Sequence, residues 1–310
     1  MAEPLPHHLY WGAEALWQQL RPLLPDLAVE VVARADSTNT QLLDRARHGV
    51  GHPGAHTVGH DAAPGRRLGD TQPCLLVAEQ QTHGRGRQGK AWFASAGASL
   101  TFSLSLPLAP ADWSGLSLAV GVALADAFDP PQHAQPPRIA LKWPNDLLLL
   151  DADGGGRKLG GILIETVSVG TQRMAVIGIG LNVLPQALAE LSWGYGCLQE
   201  LQPEISAPQA LAQLALPLVR TVLDFQRDGF APLQPRYARR DALFGRPVST
   251  SLAELPEGVA DGVDAQGALW LRVGGTRQRV SSGEVSIRVA PPAMGGGGSD
   301  SQGSPGSAAC

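Results

Sequence analysis

Four short segments of the chain concentrate the residue types that handle anions. The densest is Glu79-Gln80-Gln81-Thr82-His83-Gly84-Arg85-Gly86-Arg87-Gln88-Gly89-Lys90-Ala91-Trp92, which follows an apolar, strand-like run. Glycines let successive backbone N–H groups turn toward one centre, and Arg85 and Arg87 can fork onto phosphate or carboxylate oxygens. No Gly-Lys-Ser/Thr stands in register for a Walker loop, and no helix start follows as a Rossmann fingerprint requires. Taken alone, the segment describes an anion held by a mobile loop. A solvated basic hairpin tip is the competing reading, and RNA-binding Gly-Arg tracts differ in being long low-complexity runs.

The second segment, Lys142-Trp143-Pro144-Asn145-Asp146, puts a cation, an aromatic ring, an amide and a carboxylate between two apolar runs. A Pro-Asn-Asp turn is by itself ordinary, yet its flanks hold Lys142 and Asp146 at a partly desolvated edge where charges need partners. Asp146 could there accept a nucleotide-bound magnesium ion. Third, Arg157-Lys158-Leu159-Gly160-Gly161-Ile162-Leu163-Ile164-Glu165 opens a strand with a lysine followed by two glycines. Strand glycines mark close approach of a ligand or of another backbone, and a lysine beside such a place can bridge a carboxylate and a phosphate. Fourth, Gly178-Ile179-Gly180-Leu181-Asn182-Val183 ends a glycine-bearing strand in an amide that can read an adenine edge, unless the glycines only mark a β-bulge.

Cation usage adds to this. Of the 24 basic residues only Lys90, Lys142 and Lys158 are lysines, and all three fall in these segments. A chain otherwise committed to arginine keeps lysine where a compact ammonium must meet a single charge point, codon bias being the bland alternative. The net charge of −4 gives no general attraction to nucleic acid. No signal segment and no apolar run of membrane-spanning length is visible, so a cytoplasmic protein is expected, away from membranes. Cys74, Cys197 and Cys310 are too scattered for a disulfide framework or a zinc site.

The elements that must position these residues follow from periodicity. A helix is expected over 11–24, a strand over 27–35, and a short helix (TQLLDRARH) after the capping run Asp36-Ser37-Thr38-Asn39. Strands are predicted at 74–79, 99–106, 139–143, 146–150, 158–167 and 174–183, and helices near 114–128 and 208–229. Residues 49–73 read as an exposed insertion whose Gly and Pro deny His48, His52, His56 and His60 a common helix face. After Arg240, short strands separated by Gly, Pro and Asp predict a small β-barrel, and 291–310 reads as a disordered tail. The expected organisation is thus an N-terminal helical extension (1–28), a catalytic domain (29–239), the small barrel domain (240–290) and the tail.

Over roughly residues 30–290 the chain resembles biotin protein ligases, through DSTN at 36, EQQTHGRGRQGKAW at 79, KWPND at 142, RKLGGILIE at 157, GIGLN at 178 and SGEVSIR at 282. The resemblance implies an α+β fold: a central mixed β-sheet flanked by helices, of the class II synthetase-like biotin/lipoate ligase type, with a C-terminal SH3-like barrel. It implies an ATP-dependent carbon–nitrogen ligase that forms biotinyl-5′-AMP and transfers biotin to a lysine of a biotin carboxyl carrier protein, of acetyl-CoA carboxylase or a related carboxylase. Carried over residue by residue, Ser37, Thr38, Asn39, Gln81 and Gly161 contact biotin, and the Arg85-Gly86-Arg87 loop closes over it. Lys158 meets the biotin carboxylate and the α-phosphate. Trp92, Lys142, Asn145, Asn182 and Arg288 lie on the nucleotide side, and Asp146 is a metal or phosphate-side group working through Mg-ATP. Lys158, Arg87 and Asp146 are the expected catalytic set, with ATP, Mg2+ and biotin as the small molecules and a homodimer allowed. Members that double as repressors carry an added N-terminal helix-turn-helix. Only 35 residues precede Asp36 here, so a single-function enzyme without specific DNA binding is expected. His83, where many members have a small residue, and the 49–73 insertion depart from the pattern. A lipoate or octanoate transferring enzyme of the same fold is the nearest rival, and the Gly-Arg loop together with KWPND favours biotin.

Overall fold

The computed structural model describes residues 9–48, 70–132, 135–186, 194–281 and 287–289. Expectations for most of the 49–73 insertion, including His52, His56 and His60, for the SGEVS part of the last motif and for the tail with Cys310 lie outside the described residues.

Helix α1 (Ala13–Leu20) precedes strand β1 (Ala28–Ala35), and helix α2 (Thr38–His48) starts almost at once. Ser37 caps it: its carbonyl accepts Gln41 N–H at 3.0 Å and its Oγ accepts Thr40 N–H at 3.4 Å. The helix therefore begins two residues earlier than TQLLDRARH, which puts Thr38 and Asn39, both buried, in its first turn. Strands β2 (Cys74–Gln81) and β3 (Ser99–Pro107), helix α3 (Leu116–Phe128), strands β4 (Ile139–Lys142), β5 (Asp146–Leu150), β6 (Gly156–Val169) and β7 (Gln172–Asn182), and helices α4 (Ala207–Asp228) and α5 (Gln234–Ala238) complete the larger unit. Its seven strands run in the order β1-β2-β3-β7-β6-β5-β4. The β1–β2 pair is parallel and the other neighbours are antiparallel, so the sheet is mixed as expected.

Strand β3 shows why the sheet is buried on both faces. Leu100, Phe102, Leu104 and Leu106 join the main core, to which α1, α3 and α4 contribute. The alternate residues Ser99, Thr101, Ser103 and Ser105 are buried as well, on the face where α2 packs. That face has its own small apolar cluster of Leu42, Leu43, Leu76 and Val176, and it needs internal hydrogen-bond partners for its hydroxyls.

A bulge in β6 matters for chemistry. Leu147 pairs with Gly160 but Leu148 pairs with Lys158, so one extra residue is inserted in β6 between them. Lys158 and Gly161, three apart, would face opposite sides of a regular strand; the bulge brings both to the same side. A Cβ on Gly161 would stand 3.7 Å from Lys158 Nζ.

Strands β8 (Pro247–Thr250), β9 (Glu257–Val263), β10 (Leu269–Val273), β11 (Thr276–Val280) and β12 (Ile287–Val289) form a five-stranded antiparallel sheet in the order β11-β10-β9-β8-β12. The link to it covers the exposed edge of β4, with Leu141 N–H donating to Arg240 O at 2.7 Å and Ala242 N–H to Leu141 O at 3.0 Å. Fully buried Trp143 spans the two units by donating Nε1–H to Gly267 O at 3.0 Å. Arg240, 4% exposed, bonds Asp126 Oδ1 at 2.9 Å, Asp129 Oδ2 at 2.7 Å and Ile139 O at 2.9 Å, so a buried guanidinium at the junction has its partners. Among the described residues no helix is long and apolar enough to cross a membrane.

Candidate active site

The β1–α2 turn, the loop after β2, the β4–β5 turn, the bulge of β6, the end of β7 and strand β12 surround a cavity of about 670 Å³. It is lined by every site residue expected from the sequence except Asn182, and it holds all three lysines of the chain.

One wall is neutral and hydrogen-bonded in advance. Gln81 Oε1 accepts Thr38 N–H at 2.8 Å and lies 3.2 Å from Thr38 Oγ1. Ser103 Oγ stands 2.7 Å from Thr38 Oγ1 and 2.6 Å from Asn39 Oδ1, while Asn39 Nδ2 donates to Leu163 O at 3.1 Å and to Glu165 Oε2 at 3.0 Å. Ser37, Thr38 and Asn39 are 4%, 3% and 3% exposed, so their donors and acceptors are held in fixed directions for a polar, uncharged group. Gly178 makes room for this network, because a Cβ there would fall 2.3 Å from Asn39 Oδ1. Gly180 does the same for Trp92, whose indole lies where that Cβ would project, 2.4 Å away. Trp92 Nε1 is buried with no hydrogen-bond partner.

The other wall is cationic. Asp146 Oδ1 accepts from Lys158 Nζ at 2.6 Å, and its Oδ2 lies 3.8 Å from Lys142 Nζ. Arg87, Lys90 and Arg288 line the same space. One carboxylate is thus set among several cations, a surplus of positive charge in a chain whose net charge is −4. Burial lowers the pKa of Lys142, and the charges of Lys158 and Lys90 push the same way, with Asp146 opposing them in part. Burial also lowers that of Arg87, again against Asp146. An anion entering here restores what burial takes from both cations.

Two amides among the expected site residues are engaged on backbone carbonyls. Asn182 Nδ2 donates to Lys158 O at 2.9 Å and to Gly196 O at 3.0 Å, so its donors tie β6 at Lys158 to the segment carrying Gly196, and it is not among the residues that line the cavity. Asn145 Nδ2 donates to Ile162 O at 2.9 Å and holds the β4–β5 turn on β6. Arg85 lines the cavity and donates from Nη2 to both Glu165 carboxylate oxygens, at 3.1 and 2.8 Å. The loop itself is a small hairpin closed by the Arg85–Ala91 bridge, with Gly86 N–H on Lys90 O at 2.7 Å and Trp92 N–H on Gly84 O at 2.8 Å. Glu165 and Ser103 went unassigned in the sequence. The signals were there: an acid ending the apolar run GILI, and a serine on the polar alternation of β3.

A metal has little to bind in the protein alone. Among the described residues no three His, Cys, Asp or Glu side chains gather to hold an ion, and the Asp146 carboxylate already sits against two ammonium groups. The donor set fits an ion only when phosphate oxygens bring most of its ligands.

Comparison with known proteins agrees with this chemistry. Residues 68–182 match the model of the biotin/lipoate A/B protein ligase family, and residues 244–288 that of the biotin protein ligase C-terminal domain. The chain is 33% identical over 279 residues to the biotin–acetyl-CoA-carboxylase ligase of Mycobacterium tuberculosis, covering 88% of this chain and 91% of that one. It is 34% identical over 268 residues to the bifunctional ligase/repressor BirA of Salmonella typhimurium, covering 84% of this chain and 75% of the relative. The solved structure of the Aquifex aeolicus biotin protein ligase in complex with biotin and ATP superposes with a TM-score of 0.61 at 22% identity, over 86% of this chain and 99% of that one, which establishes a common fold. With sequence identity above 30% across nearly the whole of such relatives, and with both domain models matched in order, the chain belongs to the biotin protein ligase family.

Proposed function

We propose that the protein is an ATP-dependent biotin protein ligase, whose cavity binds biotin by its neutral wall and the nucleotide by its cationic wall. The gathering of the chain's three lysines and Arg87 in one cavity with Asp146, beside a buried amide and hydroxyl network, supports this most strongly. Biotin's carboxylate and the α-phosphate of ATP are both anions, and their approach needs fixed positive charge in a site that excludes water.

In the first step a carboxylate oxygen attacks the α-phosphorus, the bond to the β-phosphate oxygen breaks, and pyrophosphate leaves. Lys158, placed by the β6 bulge, is the cation between the two reacting groups, and Lys142 and Arg87 oppose the charge of the leaving group. Asp146 is the carboxylate that would face a magnesium ion carried by the nucleotide, and such an ion would supply further positive charge to the phosphates. In the second step the carrier's lysine amine attacks the acyl carbon, the carbon–oxygen bond to AMP breaks, and the amine gives up a proton. No protein nucleophile is required: orientation and exclusion of water carry the reaction. The partner proposed is the biotin carboxyl carrier protein of an acetyl-CoA carboxylase or related carboxylase, and the location proposed is the cytoplasm.

Incubation with biotin, α-phosphate-labelled ATP and a biotin carrier domain tests the proposal. Labelled biotinyl-AMP should form without carrier, and biotin should move to the carrier when it is added. Pyrophosphate release that depends on lipoate and not on biotin would overturn it.

A further inference from the structure

Glu165 ends the RKLGGILIE run, and neither reaction step above uses it. Its carboxylate nevertheless receives Arg85 Nη2 on both oxygens, at 3.1 and 2.8 Å, and Asn39 Nδ2 on Oε2 at 3.0 Å. Arg85 belongs to the hairpin that lines the cavity mouth, and Asn39 belongs to the buried wall. A continuous series of polar contacts therefore runs from Gln81 through Thr38, Ser103 and Asn39 to Glu165 and out to the loop.

The two ends of this series differ in character. Asn39 has little freedom to reorient, since both of its N–H groups are engaged on β6 and its carbonyl oxygen faces Ser103. The Arg85–Glu165 pair is 43% and 28% exposed at its side chains, so solvent weakens it and it can break and re-form as the loop moves. A rigid acceptor held by the pocket and a loosely bound donor on the loop together have the form of a latch.

We propose that Glu165 is a positioning residue that fastens the 84–90 loop to the head-group wall, and that Arg85 serves loop closure while Arg87 serves the phosphate. Because Thr38, Asn39 and Gln81 are already fixed, Asn39 holds Glu165 ready as the acceptor for Arg85, and the pair keeps the closed loop over the adenylate. This rests on the ligase reading above.

Two measurements test it. Trypsin cleaves after Arg85, Arg87 and Lys90, so loop opening can be followed without any turnover. Glu165→Gln keeps the side-chain volume and an acceptor for Asn39 but removes the charge that Arg85 needs. In the variant the loop should be cut about three- to fivefold faster than in the wild type, the size of a partly exposed charge pair, and biotin should protect it less. By stopped flow, biotinyl-AMP should leave the variant faster by a similar factor, while the rate of adenylate formation at saturating substrates stays near wild type. In an Arg85→Ala background, where cleavage after Arg87 and Lys90 still reports the loop, adding Glu165→Gln should change neither proteolysis nor biotinyl-AMP release any further. Unchanged proteolysis in Glu165→Gln, or effects that multiply in the double variant, would overturn the latch. Absence of biotinyl-AMP from the wild type would instead count against the ligase reading, and the ligand-free proteolysis would still decide the latch.

Discussion

At the scale of single residues, the site is a problem of assembling like charges. Lys158 and Asp146 lie 2.6 Å apart before any substrate arrives, and Lys142 is on the far side of the same carboxylate at 3.8 Å. Asp146 therefore lets cations crowd together, and an incoming phosphate shares them. Lys158→Ala should reduce adenylate formation more than tenfold, a loss above about 1.4 kcal/mol of transition-state stabilisation, with little change in melting temperature because the side chain is 30% exposed and contributes no core volume. Lys158→Arg should restore little, since a planar fork does not replace an ammonium at one charge point. Retention of more than a tenth of wild-type adenylation by the alanine variant would remove Lys158 from its role. The lowered pKa of Lys142 gives a pH signature. Its charge is complete at low pH and is lost as pH rises through a value below the usual lysine range, so the KM for ATP should begin to climb on the alkaline side sooner than an exposed lysine would predict. In Lys142→Gln that limb should flatten, and an unchanged pH profile would mean the limb belongs to another group. Arg87→Gly should act on retention: losing a charge-assisted contact worth roughly 1.5–3 kcal/mol should speed release of biotinyl-AMP about ten- to a hundredfold. Free adenylate acylates exposed lysines, so bystander proteins should become biotinylated, and a streptavidin blot no different from wild type would contradict this.

At the scale of elements, positions depend on how β6, β7 and α2 meet. Gly178 of β7 lies under Asn39 of α2, and a methyl group added there would come within 2.3 Å of an oxygen that Ser103 already holds. Gly178→Ala should therefore strain the contact by about 1–3 kcal/mol and turn the Asn39 amide. The KM for biotin should rise at least several-fold while that for ATP changes little, and isothermal titration with biotin alone is the direct check. Equal loss of both substrates would point to a general collapse of the sheet. The strands were legible in the sequence because buried runs such as DLLLL and MAVIGIGLNV sit between clear turn signals, and the cationic loop was legible from composition. Less legible were features set by pairing. The start of α2 was misplaced by two residues because Thr38 and Asn39 read as capping residues, whereas Ser37 alone makes the cap. The β6 bulge depends on the register of a strand eight or more residues earlier in the chain, so the common facing of Lys158 and Gly161 could not be read locally. Asn182 was read as an adenine contact because its free donors and acceptor suit one; only the fold brings Gly196 and Lys158 carbonyls to it.

At the scale of the whole molecule, the cavity is completed where the two units join, since Ile287, Arg288 and Val289 of β12 line it together with the lysines. The junction passes through Arg240 and Asp241, and these two handle burial in opposite ways. Arg240 is buried with carboxylates and carbonyls on its guanidinium. Asp241 accepts Leu243 N–H on Oδ1 at 2.9 Å, but its Oδ2 is buried with no hydrogen-bond partner, as is the hydroxyl of nearby Tyr237. Burial raises the Asp241 pKa to about 6, with the backbone N–H groups of Leu243 and Phe244 opposing the shift. A carboxyl whose pKa is higher folded than unfolded stabilises the fold most below its unfolded value near 3.8, and that contribution is lost as pH rises through about 6. The native junction should therefore be weaker at pH 8 than at pH 5, by at most about 1.5 kcal/mol from this group. Asp241→Asn keeps an acceptor for Leu243 and cannot ionise. Its melting temperature should exceed that of the wild type at pH 8, and the advantage should shrink as pH falls toward 5, where the wild-type carboxyl is largely protonated. Because Leu141 pairs with this segment at the edge of β4 and directly precedes Lys142, the same substitution should also reduce any loss of ATP affinity that accompanies loosening of the barrel at high pH. Differential scanning fluorimetry from pH 5 to 8 measures the first effect directly. An Asn variant offset from wild type by the same amount at every pH would show that the Asp241 carboxyl does not titrate in this range and that the junction is held without regard to its charge.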